Sequence, residues 1–150
     1  MRAVLQRVSS ASVAIAGTMK AHIATGLLVL VAVRDADTTG DIEWLAGKIV
    51  RLRVFSDEQG LMNRSVQEVN GDLLVVSQFT LFASTQKGNR PSYLRSARPE
   101  VAVPLYEQFL ARLAAELGRP VQAGEFGAGM QVALVNDGPV TILIDSQARE

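Results

Sequence analysis

The sequence predicts an α+β fold: a single domain, residues 1–150, of curved, barrel-like and mostly antiparallel sheets covered by two amphipathic helices. Three observations predict it. Apolar runs of strand length recur along the chain, and the longest, residues 27–33, reads as a strand buried on both faces. Only residues 41–52 and 100–117 repeat their apolar side chains at helical spacing. No repeat, low-complexity tract or linker divides the chain. A chain of 150 residues withdraws roughly 68–70% of its unfolded surface from water, enough for a core without staples.

Residues 2–8 read as the first strand, and 12–16 as a β-permissive segment punctuated by Gly17. A short strand at 20–24 completes a hairpin, and Gly26 opens the apolar strand. Asp35 to Gly40 forms a loop in which Thr38 or Thr39 caps the first helix. Ile42, Leu45, Ile49 and Leu52 make that helix's apolar face, with Asp41, Glu43, Lys48 and Arg51 elsewhere on it. Val54-Phe55 is a short strand, 57–60 a turn, and Asn70-Gly71-Asp72 a turn before the strand at 73–78. A long polar loop covers 84–99, a length that in compact domains tends to be functional. The second helix carries Val101, Leu105, Phe109, Leu110 and Leu113 on one stripe, with Pro104 in its first turn. Gly118 and Pro120 end it. Two strands, 130–135 and 140–145, close the chain around Asn136-Asp137-Gly138-Pro139.

Composition removes several chemistries. The absence of cysteine excludes disulfides, thiolate zinc sites and a Cys nucleophile, and is compatible with a reducing cytoplasm. No signal-peptide pattern opens the chain, and no apolar run is long enough to span a bilayer. A formal net charge of zero argues against non-specific coating of nucleic acid. One local exception stands out: Lys87, Arg90, Arg95 and Arg98 fall in the 84–99 loop with no acid among them. His22 is the sole histidine and has no marks of a catalytic base. The stretch from Asp35 to Gly40 fails as a calcium loop because Ala46 stands where a bidentate Glu is required. No metal and no cofactor are expected.

Two segments carry candidate chemistry. Ser77-Gln78-Phe79-Thr80 ends a core strand. It reads either as a strand with polar residues on its solvent face, or as hydroxyls, an amide and backbone N–H groups arranged to hold an ester carbonyl. No general base adjoins it, so a Thr or Ser nucleophile lacks activation. Asn136-Asp137-Gly138-Pro139 reads either as a hairpin turn or, if the Gly138–Pro139 bond is cis, as a rigid main-chain device facing a small ligand. The basic loop reads as a solvated loop or a phosphate site, with Tyr93 as a stacking surface.

Ser77-Gln78-Phe79-Thr80, Asn136-x-Gly138-Pro139-Val140-Thr141 and the opening Arg2-Ala3-Val4-x-Gln6-Arg7-Val8 together resemble the D-aminoacyl-tRNA deacylases. Met62-Asn63, Lys87-Gly88-x-Arg90-Pro91-Ser92 and Phe126-Gly127-Ala128-x-Met130 extend the resemblance along the chain. It implies hydrolysis of the ester joining a D-amino acid to the 3′-terminal adenosine of tRNA, and removal of glycine mischarged onto tRNA for alanine. It also implies a cytoplasmic homodimer acting on the tRNA acceptor end, with no membrane or DNA partner. Ser77, Gln78, Phe79 and Thr80 would be catalytic. Phe126, Met130 and Asn136 would shape the substrate site, and a cis Gly138–Pro139 unit from the partner subunit would reject L-aminoacyl groups. Lys87, Arg90 and Arg95 would meet tRNA phosphates. The rival readings are a non-catalytic RNA-binding module and a small-ester hydrolase with Thr80 as nucleophile.

Overall fold

The structure, a computed structural model, describes residues 1–150. Its elements are β1 (Arg2–Ile15), β2 (Thr18–Ile23), β3 (Gly26–Ala32), α1 (Thr39–Arg51), β4 (Phe55–Ser56), β5 (Met62–Arg64), β6 (Asp72–Ser77), α2 (Pro99–Leu117), β7 (Gln122–Ala123) and β8 (Gln131–Asp145). A 3₁₀ turn, Phe79–Phe82, follows β6. The main sheet runs β2-β1-β3-β6-β7, with β8 also on β1. The three ladders of β1 are antiparallel, whereas β3–β6 and β6–β7 are parallel.

Period-two burial in β3 and β6 builds two cores from one sheet. Leu27, Val29, Val31, Leu73 and Val75 pack against the helices. Leu28, Leu74 and Val76 face the other way, toward Val8, Val13 and Ile23, inside the curl of the sheet. This double burial explains the unbroken apolar runs of the two strands.

Both helices follow the expected logic with shifted details. Asp41 accepts a hydrogen bond from the Thr38 amide at 2.8 Å, closing a capping box at the start of α1. Ile42, Leu45 and Ile49 are buried as read, and Ala46 and Val50 join them. In α2 the buried stripe is Ala102, Tyr106, Phe109, Leu113 and Leu117, while Val101 is exposed. The helix starts at Pro99, so Pro104 lies inside it rather than in its first turn. Gly118 terminates it in the left-handed region at φ 83°, its amide donating to Ala114 O.

Two sequence expectations need correction. Residues 2–15 form one continuous strand, not two, with Ala16 in the turn that follows: Ser9 and Ser10 break the apolar alternation, but β1 passes through them with an irregular register. Likewise, residues 130–145 are not a hairpin. Both halves of β8 pair with the same strand, β1, and the Asn-Asp-Gly-Pro segment is a bulge between them. The pairs Gln6↔Thr141 and Val8↔Asn136 show it: two steps along β1 (6 to 8) oppose five along β8 (136 to 141). The 14-residue length of β1 makes this possible, since it accommodates both halves.

Candidate active site

β6 delivers the site. Gln78 N still donates to Val31 O at 2.7 Å, but Gln78 itself leaves the strand conformation (φ −142°, ψ 74°) and the chain coils into the 3₁₀ turn. The first bond of that turn is Leu81 N to Gln78 O, 3.1 Å. The amides of Phe79 and Thr80 precede it and have no acceptor within the turn. The carbonyls of the turn, by contrast, are engaged. Ser96 Oγ donates to Phe79 O at 2.7 Å, Ala83 N to Thr80 O at 3.0 Å, and Arg2 Nη1 to Leu81 O at 3.0 Å. A turn pinned by its carbonyls presents its leading N–H groups outward.

Phe79, the first residue of the turn, lines an apolar cleft of about 290 Å³. Ser77, Gln78 and Phe79 form one wall, with Phe126, Met130 and Val132 also lining it. Tyr106 of α2 packs on Phe126 with ring centroids 5.7 Å apart, and its hydroxyl donates to Val75 O at 3.4 Å. Burial pushes the Tyr106 phenol up to about 12, so the ring stays neutral at working pH. Met130 lies over Gly124, where a Cβ would stand 2.5 Å from its Sδ. Tyr106 and Ala102 also line the cleft, a role the apolar spacing of α2 could signal, and so does Ala97, for which the loop before α2 carries no signal.

Thr80 is not activated. Its Oγ1 accepts a hydrogen bond from Gln78 Nε2. His22 lies elsewhere, in a shallow groove with Ser10, Met19 and Val135. No three His, Asp or Glu side chains converge as a metal site would require.

The turn itself is clamped from below. Arg2 and Arg34 both stack on the buried Phe82 ring, 4.8 and 4.7 Å from its centroid, and both pair with Asp145 at 3.0 and 2.9 Å. Burial raises the Asp145 carboxyl, but the Gln147 amide, Arg2 and Arg34 outweigh it and hold the group below its ordinary value.

Asn136, Gly138 and Pro139 do not reach this cleft within one chain. Their bulge stands exposed, with the Gly138–Pro139 peptide in cis. Asn136 staples it: Val140 N donates to Asn136 Oδ1 at 2.9 Å, and Asn136 Nδ2 donates to Val140 O at 3.1 Å. Arg7 Nε donates to Asp137 O at 2.7 Å. Only glycine fits at 138, where a Cβ would collide with the Val140 amide and stand 2.9 Å from Val140 Cγ2. Lys87, Arg90 and Arg95 are exposed on the loop that follows the turn, and Arg95 Nη2 donates to Ala83 O at 3.1 Å.

The chain is similar to known proteins over nearly its whole length. The family model described as D-Tyr-tRNA(Tyr) deacylase matches residues 4–145. D-aminoacyl-tRNA deacylases from Opitutus terrae and Parabacteroides distasonis are 63% and 59% identical over 150 residues, covering 100% of both chains in each case. A solved structure bearing the name c-Myc DNA Unwinding Element Binding Protein is 41% identical with a TM-score of 0.91, covering 99% of this chain and 100% of that one. Another, described as a probable eukaryotic D-amino acid tRNA deacylase, has a TM-score of 0.82 at 18% identity, covers 95% of this chain and 97% of that one, and shares the fold. A chain that matches these relatives from end to end, and ends its core strand in a pinned turn beside an apolar cleft, belongs to the D-Tyr-tRNA(Tyr) deacylase family, hydrolases of the ester between a D-amino acid and tRNA.

Proposed function

We propose that residues 1–150 act as one chiral proofreading domain, in which the cleft holds the aminoacyl group and the 3₁₀ turn performs the chemistry. The observation that carries this is the pair of unengaged amides, Phe79 and Thr80, in the turn whose first residue, Phe79, lines an apolar cleft with no acid–base pair. Water attacks the ester carbonyl carbon, and the two amides hold the tetrahedral oxyanion. The 2′-hydroxyl of the terminal adenosine helps the attack, relaying a proton from the water to the 3′-oxygen as the bond from that oxygen to the acyl carbon breaks. Ser77 and Gln78 position the carbonyl and adenosine, and Phe126 and Met130 wall the acyl group. The free D-amino acid and intact tRNA are released to the cytoplasm.

Enantiomer selection comes from a second copy of the chain. Its Gly138–Pro139 bulge enters the cleft and excludes an L side chain with main chain alone, which leaves D side chains undiscriminated. Glycine, with no side chain to exclude, is hydrolysed too, including glycine on tRNA for alanine. Two observations support a homodimer. β8 pairs only with β1, and it exposes Val132, Val135 and Leu143 along that bare edge. The bulge is rigidly stapled yet does not reach the cleft of its own chain. Lys87, Arg90 and Arg95 meet phosphates of the acceptor end. The DNA named for one structural neighbour is not carried over, since a net charge of zero gives no general attraction for a duplex.

The test is deacylation of matched D- and L-tyrosyl-tRNA. The D ester is cleaved and the L ester spared; equal rates on both would overturn the reading. A Gly138→Ala, Pro139→Ala chain then cleaves both esters, and mixing it with a cleft-blocked Ala128→Trp chain restores preference for the D ester only if each site draws on two subunits.

A further inference from the structure

We propose that Phe79, Tyr93 and Leu94 form a nucleobase subsite at the mouth of the cleft, for the unpaired nucleotides that precede the terminal adenosine of tRNA. The proposal rests on the assignment of the cleft to the aminoacyl group.

Three large apolar side chains are exposed together here: Phe79 by 56%, Tyr93 by 40% and Leu94 by 94%. Phe79 and Tyr93 meet edge to face, centroids 5.0 Å apart at 75°. Their presentation is not the accident of a loose loop. Ser84 and Ser92 exchange both backbone hydrogen bonds, at 2.8 and 2.9 Å. Ser96 ties the loop to the 3₁₀ turn, its amide donating to Tyr93 O at 3.0 Å and its hydroxyl to Phe79 O at 2.7 Å. Such a loop has already met the entropic cost of displaying its rings.

The surrounding charge selects the occupant. Lys87, Arg90, Arg95 and Arg98 are exposed, none pairs with an acid, and no acidic residue lies between Ser84 and Pro99. Aromatic faces beside unpaired cations suit single-stranded nucleotides, because every base has a π-face to stack and a phosphate to neutralise. A duplex, with its bases already stacked, has no use for exposed rings. Phe79 belongs to both surfaces: it lines the cleft and packs on Tyr93. An ester held in the cleft therefore leads its preceding nucleotides onto this platform.

The experiment compares 3′-O-(D-tyrosyl)adenosine with the same ester carried on the trinucleotide CCA. The wild-type chain favours the trinucleotide by about 5- to 100-fold in kcat/KM, expressed in KM, as base stacking on aromatic side chains predicts. Tyr93→Ala and Leu94→Ser collapse that ratio toward one, and Tyr93→Phe restores it. Leu94→Ser alters a side chain in open solvent, so folding does not obscure the result. A wild-type ratio near one with both esters cleaved overturns the subsite and leaves the cleft assignment standing, as does an unchanged ratio in the variants. A folded wild type that cleaves neither ester overturns the cleft assignment, and the subsite falls with it.

Discussion

Asp145→Asn tests whether the clamp beneath the 3₁₀ turn sets both stability and rate. The Asp145 carboxylate is only 6% exposed, and it accepts from Arg2, Arg34 and the Gln147 amide at 2.9 to 3.1 Å. Removing one partner of a buried ion pair costs about 3–5 kcal/mol. Arg2 and Arg34 keep 25% and 27% of their side chains in water, so part of the stranded charge is rehydrated. The expected loss is thus about 2–4 kcal/mol by urea unfolding, with Tm lower by roughly 5–15 °C. The pH dependence has a definite sign. The folded carboxyl sits below its ordinary value of 3.8, so its stabilisation is complete above that value and is lost as pH falls through the lower folded one. The gap between wild type and variant is therefore full at neutral pH and narrows in acid below 3.8. The same substitution frees Arg2 from its anchor, and Arg2 holds Leu81 O of the turn. If the turn's amides meet charge only in the transition state, kcat on D-tyrosyl-tRNA falls while KM changes little. A variant within about 0.5 kcal/mol of wild type, with unaltered kcat, would refute the clamp.

Other substitutions separate the parts. Asn136→Ala removes both staples of the bulge and costs about 1–3 kcal/mol, and the ratio of D to L deacylation drops; an unchanged ratio would show that the bulge has no part in selection. Thr80→Val keeps hydrolysis within about tenfold and yields no trapped acyl-enzyme, because other groups do the work of a nucleophile; complete loss of turnover in a folded variant would restore Thr80 to that role. Asp37→Asn leaves the Met1 α-ammonium, now 2.5 Å from Asp37 Oδ1 and 2.7 Å from Ser146 Oγ, buried without its counter-charge. That change destabilises by about 3–5 kcal/mol in a urea melt without altering enantiomer preference.

Much of the fold is legible locally. β3 and β6 announce themselves because strands buried on both faces tolerate nothing polar. Thr38 and Asp41 mark the start of α1, and Gly118 the end of α2, because helix termini must satisfy their own orphan groups with nearby residues. The Ser77–Thr80 segment is recognisable for a related reason: polar residues at the end of a core strand need a purpose.

Long-range pairing is what local reasoning misses. Asn136-Asp137-Gly138-Pro139 has the composition of a hairpin turn, and nothing nearby says that β1 is long enough to pair with both flanks and expel the segment as a bulge. The stripe of α2 shifted to Tyr106 and Leu117 because the sheet, not the helix, decides which face is covered. Residue types and their order thus determined the strands, the caps and the signature segments, since each depends on neighbours within a few positions. The cleft, the clamp of Arg2, Arg34 and Asp145 on Phe82, and the outward thrust of the bulge were decided only in three dimensions. Each joins groups that chain order keeps far apart, and only the paired sheet sets them within bonding distance.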